Sequence, residues 1–307
     1  MSLYSHIAVG TDFSKNAEPA VNKAISFALA NADQLSIVHI IDNLAKLYQE
    51  VLPLSSAELE TMLLQEAKRK LFEDYNNDTI EFFDSIQMNT YAIVNKPVQG
   101  LLEFCDTKDV DLLIVGQRSS QLLKRILLGS TAEQILYHSR AHTMIVHPDV
   151  PDVCKRILVP VDFSNVSRYI LSHACALAEK NDIELHLLHV YQAFSPYVIP
   201  TDDDLTSQNE HSINRNESIK KYDDFVESFD FQGLHFSQHL REGKPSEEII
   251  QAAIELNCDL ILMGSVSCST LRHVILGSTI ERVARKLPCS LLTIKPPHQD
   301  SSSSNVR

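Results

Sequence analysis

Two stretches of the chain carry the residue types that phosphate chemistry asks for. Residues 115–131 read VGQRSSQLLKRILLGST and residues 263–279 read MGSVSCSTLRHVILGST. Each places a glycine (Gly116, Gly264) after an apolar run and closes on Gly-Ser-Thr: Gly129, Ser130 and Thr131 in one, Gly277, Ser278 and Thr279 in the other. If the closing triplet opens a helix, unpaired backbone N–H groups and a partial positive charge converge there. The hydroxyls add donors at the same place, so the frame suits a phosphate. A second account is open on spacing alone. A glycine after a strand is ordinary turn chemistry, and a serine before a helix is an ordinary cap.

The frame belongs to a longer repetition. HIAVGTDFS (6–14) answers RILVPVDFS (156–164), LSIVHI (35–40) answers LHLLHV (185–190), and NKPVQGLLEFC (95–105) answers GKPSEEIIQAA (243–253). DLLIVG (111–116) then answers DLILMG (259–264), and MIVHP (144–148) answers LTIKP (292–296), in the same order and at offsets of 148 to 150 residues. Two homologous domains are expected over 1–150 and 151–296, joined by PDVCK (151–155). The polar, serine-rich stretch 297–307 cannot bury a core and reads as a disordered tail.

The elements that must position the frame follow from periodicity. Short β-branched or leucine-rich runs fall at 6–10, 35–41, 88–94, 112–116 and 143–147, and again at 156–161, 184–190, 234–241, 259–264 and 290–295. Helical spacing fills the intervals: Ala20, Ala24, Phe27 and Ala28 share one stripe, and a long helix is expected from near Ser56. Pro97 and Pro245 suit a first helical turn. The runs LLIV and LILM are apolar on both faces, as parallel strands covered on both sides are. The expected fold is therefore α/β: two tandem doubly wound domains, each an open, mostly parallel five-stranded sheet with helices on both faces. In such sheets ligands sit beyond the carboxyl ends of the strands, where the strand order reverses. Gly116 and Gly264 stand at that end.

Composition narrows the partners. A net charge of −13 over 307 residues argues against nucleic acid and against an anionic membrane surface. No apolar run approaches a membrane span, and no basic start precedes an apolar leader, so a cytoplasmic protein is expected. The six cysteines show no CxxC pair and read as small buried residues in a reducing compartment, with Cys154 and Cys268 the two expected to be exposed. No GxxxxGK[ST], HExxH or GxSxG motif is present. His39 and His189 lie within expected strands and read as structural residues, and TDDDL (201–205) reads as a solvated loop. Lys124, Arg125, Arg272 and His273, between the glycines, would either screen a phosphate or form the wet face of a helix.

The ordered series VGTDFS, IVHI, KP, DLLIVG, LLGST and MIVHP resembles the universal stress protein family, and its repetition resembles the tandem members. The ATP-binding branch of that family carries Gly, two residues, Gly, nine residues, then Gly with Ser or Thr. Carried over, the outer positions fall on Gly116 with Gly129–Ser130, and on Gly264 with Gly277–Ser278. The middle glycine is replaced by Ser119 and by Ser267. If that position needs positive φ, a serine is strained by about 1–2 kcal/mol; if it needs only close approach, its hydroxyl can donate to a phosphate. The resemblance also implies that Asp12 and Ile40, and Asp162 and Val190, hold the adenosine end, the two aliphatic residues through their backbone.

The function implied is a stress-response sensor or regulator binding an adenine nucleotide, ATP or a close relative, with magnesium as the accompanying cation. It would not be an enzyme, because no positioned base or nucleophile accompanies the frame. The competing reading is an interaction protein with empty clefts, its halves forming a built-in pseudo-dimer; nucleotide hydrolysis is the third. Smaller residues at Ser265 and Val266, against Gln117 and Arg118, point to the second half as the better binder. Family members pair through the last strand of each domain, here TMIVH (143–147) and SLLTI (290–294). Both are apolar edges that need cover, so the halves are expected to pack on each other, with a further homodimer as an additional possibility.

Overall fold

In the computed structural model the described residues are 2–42, 55–75, 86–117, 119–120, 125–126, 128–149, 151–192, 204–231, 233–265 and 276–295. The first half runs β1 (Tyr4–Thr11), α1 (Glu18–Asn31), β2 (Ala32–Ile41), α2 (Ser56–Tyr75), β3 (Gln87–Val94), α3 (Pro97–Thr107) and β4 (Leu112–Gly116). Two two-residue strands follow, β5 (Ser119–Ser120) and β6 (Arg125–Ile126), then α4 (Ser130–His138) and β7 (His142–Val146). The second half repeats the plan with β8 (Arg156–Pro160), α5 (Asn165–Asn181), β9 (Glu184–Tyr191), α6 (Asp204–Glu227), β10 (Phe236–Glu242), α7 (Pro245–Glu255), β11 (Leu260–Gly264), α8 (Ser278–Lys286) and β12 (Ser290–Ile294).

Each half contributes five parallel strands, ordered β3-β2-β1-β4-β7 and β10-β9-β8-β11-β12. The order reverses between β1 and β4, and between β8 and β11, so a crevice opens beyond the carboxyl ends of those pairs. The two sheets join: β7 and β12 pair antiparallel, with Thr143 opposite Thr293, Met144 opposite Leu292 and Ile145 opposite Leu291. One ten-stranded sheet results, with both apolar terminal strands in its interior.

Alternation along the strands explains why their sequences are apolar throughout. Ile7, Val9, Leu112, Ile114, Met144 and Val146 enter one core layer, under α1, α2, α5 and α6, together with Leu260, Leu262, Leu292 and Ile294. Ala8, Leu113, Val115 and Ile145 enter the opposite layer with Ile261, Met263 and Leu291, under α3, α4, α7 and α8. Each layer is shared by both halves, and both faces of the central strands are dry.

Polar contacts reinforce the junction. Thr293 Oγ1 donates to the Thr143 carbonyl (3.3 Å), and the His147 amide donates to Ser290 Oγ (3.2 Å). The buried Lys23 ammonium donates to the carbonyls of Pro151 and Asp152 at 2.8 Å each, which fastens the connection to α1. Tyr4 Oη lies 2.7 Å from His173 Nε2, the His142 and His173 rings are 5.6 Å apart, and the Lys295 amide donates to His142 Nδ1 (3.0 Å).

Burial, with His173 and Lys295 adding repulsion against the pull of Asp111, pushes His142 down to about 4, and burial also lowers His173. The unfolded chain takes up these protons near the ordinary value of 6.5, whereas the fold resists them. Stability from His142 is therefore present above pH 6.5 and is lost as pH falls towards about 4, and His173 contributes in the same direction. The melting temperature is expected to decline across that window, and His142→Asn to flatten the decline. A pH series of melting curves on both proteins checks this.

Several expectations need correction. Arg125 and Ile126 pair with Ser119 and Ser120 as an antiparallel ladder, so the reading of this stretch as the wet face of a helix does not hold at those two residues. Asp204 and Leu205 open α6 instead of lying in a loop. Cys154 is half-buried, no more open than Cys175, and burial pushes its thiol up to about 12. Cys268, Lys124, Arg272 and His273 lie outside the described residues.

Candidate functional site

Both crevices are built from equivalent segments. The segment at the end of β1 reads Thr11-Asp12-Phe13-Ser14 and that after β8 reads Val161-Asp162-Phe163-Ser164. In each, the Asp side chain accepts from the amide two residues on, Ser14 at 3.0 Å and Ser164 at 3.1 Å. The intervening phenylalanine is left-handed, Phe13 at φ 59° and Phe163 at φ 66°, a state costing on the order of 1–3 kcal/mol that such sites store. The strand histidines hold it. Phe13 packs on His39 with centroids 4.4 Å apart, and Phe163 on His189 at 4.1 Å. Nδ1 of His39 donates to the Thr11 carbonyl (2.8 Å) and Nδ1 of His189 to that of Val161 (2.9 Å). Burial lowers both imidazoles below their ordinary value, so they are neutral at physiological pH and serve as wedges that shape the loop.

The closing triplets do open helices. Gly129 and Gly277 are the N-caps of α4 and α8, at φ −67° and −63°, and neither cap carries a side-chain hydrogen bond. Ser130 and Ser278 are therefore first-turn residues, and the ordinary serine-cap account does not describe them. Among the described residues no side chain accepts from the first-turn N–H groups of either helix. Gly116 and Gly264 serve packing. A Cβ on Gly116 would sit 3.0 Å from the Asn16 carbonyl oxygen, and one on Gly264 would sit 2.8 Å from Ile170 Cδ1. These glycines let α1 and α5 close on the strand ends.

In the first half Asp12, Ile40, Gly116, Gly129, Ser130 and Thr131 line one cleft of about 530 Å³, together with Gln117 and Asp42. In the second half Asp162, Val190, Gly264, Gly277, Ser278 and Thr279 line a cleft of about 240 Å³. Ser119 lies in β5, with its side chain outside the description, and Ser267 is outside the described residues. The smaller Ser265 does not make the second cleft the roomier one. Val166, Ser167 and Ile170 line it, whereas Asn16 and Ala17 stand at the first two positions in the other half. Ser167 also binds Asp162, its hydroxyl donating to Oδ1 at 2.5 Å while its amide donates to the Ser164 cap. Burial raises the Asp162 carboxyl, but the hydrogen bonds from Ser164 and Ser167 outweigh it and hold the group below its ordinary value. Ala17 can offer Asp12 no such hydroxyl.

In the sequence Gln117 stands out as bulkier than Ser265, suited either to clamp or to obstruct a ligand. Its side chain is 2% exposed, and neither Nε2 nor Oε1 has a partner among the described residues. Ser265, at the equivalent place and fully buried, directs its hydroxyl to the Ile294 carbonyl (3.5 Å). Among the described residues no group of three or more His, Cys, Asp or Glu could hold a metal ion, and no helix is long and apolar enough to cross a membrane.

The model of the universal stress protein family matches residues 3–147 and again 154–295. The chain belongs to the universal stress protein family. A universal stress protein E homolog of Haemophilus influenzae is 26% identical, with 74% of each chain covered. A universal stress protein of Methanocaldococcus jannaschii is 30% identical over 48% of this chain and 85% of its own. The crystal structure of a universal stress protein from Archaeoglobus fulgidus superposes with a TM-score of 0.62 at 22% identity, covering 94% of this chain and 98% of that one. The universal stress protein fold is thus present twice in one chain, each copy with its own crevice.

Proposed function

We propose that this universal stress protein binds an adenine nucleotide, ATP or a close relative, in the crevice of its first half, as a sensor or regulator and not as a catalyst. One observation carries the reading: an uncapped helix N-terminus, with Ser130 and Thr131 in its first turn, faces a 530 Å³ cleft at the strand-order reversal. Asp12 and Ile40 line the same cleft, and an adenosine moiety would lie against them. The chain's own donors at α4 suit phosphate oxygens, and magnesium would enter as the counter-ion of the phosphates. The second cleft, narrowed by Val166 and Ile170 and with Asp162 tied to Ser167, would bind more weakly. We further propose that the β7–β12 junction persists in solution as an internal pseudo-dimer and that the chain acts in the cytoplasm.

Millimolar ATP with magnesium is expected to raise the melting temperature by mass action, by about 2.7 kcal/mol of stabilisation at a hundredfold excess over Kd. Nucleotide released on denaturing the freshly purified protein, read by mass spectrometry, gives an independent check. An unchanged melting curve together with no co-purified nucleotide would return the protein to the pure interaction reading.

A further inference from the structure

We infer that Gln117 is the specificity-determining residue of the first cleft, reading a neutral hydroxyl or amino donor on the bound nucleotide through its carboxamide. The inference rests on the nucleotide-binding reading and adds to it a residue that the second half lacks. Gln117 follows Gly116 at the end of β4, and its amide donates to the Val146 carbonyl (3.1 Å), so the backbone fixes where the side chain begins. Gln117 lines the cleft together with Gly129, Ser130, Thr131 and Ala132 at the start of α4.

A carboxamide presents two N–H donors and an acceptor oxygen, and a buried one is expected to be paired. At 2% exposure this one has no partner on either atom among the described residues, although it lines a cleft. A phosphate dianion would answer only the N–H side, because it has no proton to give. Oε1 needs a donor, and a nucleotide supplies that either from a sugar hydroxyl or from the exocyclic amine of adenine. Ser265 cannot substitute for it in the second half, since its hydroxyl is directed to Ile294. The two clefts thus differ in chemistry as well as in size.

The test uses the full chain carrying Gly277→Val, which silences the second cleft, with and without Gln117→Met. Calorimetry with ATP, 2′-deoxy-ATP, 3′-deoxy-ATP and ITP reads the affinities. ATP is expected to bind the chain with Gln117 about 10- to 100-fold more tightly than the Met variant, because the site loses hydrogen bonds it is built to make. One analogue, deoxy or ITP, is expected to bind less well than ATP only while Gln117 is present, and its identity names the donor as hydroxyl or amine. The free Met variant should melt about 2 °C higher, because an unpaired buried amide has been removed. If ATP binds both proteins equally, or if every analogue is discriminated equally by both, the assignment of Gln117 is overturned while nucleotide binding stands. If the Gln117 protein binds none of the four, the nucleotide reading falls with it.

Discussion

Ile145→Lys is expected to cost about 3–5 kcal/mol, the range for a buried charge left without a partner, and so to remove much of the stability of an ordinary domain. Ile145 is fully buried, faces Leu291 across the antiparallel junction, and packs in the layer under α3, α4, α7 and α8. Lysine there would either bury its ammonium or pull β7 away from β12. Because the layer is continuous, the loss should spread beyond the half that carries the substitution. Calorimetric unfolding checks this: one transition, shifted as a whole, is expected. Two transitions with only one displaced would show that the halves behave as separate beads. Small-angle scattering of the unaltered chain should show one compact particle, and two separated lobes would contradict the proposed pseudo-dimer.

Gly129→Val should lower ATP affinity at the first cleft by about two orders of magnitude, and Gly277→Val should do the same at the second. Both glycines sit at negative φ with extended ψ, at −67°/147° and −63°/143°, which a valine adopts without strain. The fold is therefore expected to survive, at a cost of roughly 1 kcal/mol for a poorer cap. A branched side chain at the mouth of the helix would occupy the space a phosphate needs and shield the N–H groups that attract it. Titration calorimetry on each single variant, with circular dichroism to confirm folding, separates lost binding from lost structure. Retained affinity in both variants would show that nucleotide does not enter at the Gly-Ser-Thr helices.

The same pair of variants bears on which half dominates. With 530 Å³ against 240 Å³, the greater loss of total ATP binding is expected from Gly129→Val. Equal losses would mean that cleft volume does not govern affinity here.

How much of this was legible beforehand depends on the range of the interaction concerned. The doubled α/β plan was legible because apolar periodicity and repetition are local, and two copies of one pattern in one order admit few other folds. LLIV and LILM became central strands, and Pro97 and Pro245 opened helices, for reasons carried by each segment alone. The start of α4 at Ser130 and of α8 at Ser278 was equally local. Other features required the assembled molecule. That Gly116 and Gly264 are packing glycines depends on the approach of α1 and α5, nearly a hundred residues away in the sequence. The left-handed Phe13 and Phe163 depend on histidines brought in from the next strand. The relative sizes of the clefts do not follow from Ser265 and Gln117, because Val166, Ser167 and Ile170 enter the second cleft from a different helix. Above all, the unpaired carboxamide of Gln117 was invisible as sequence. Burial and the absence of a partner are properties of the space around a side chain, and only the tertiary structure creates that space.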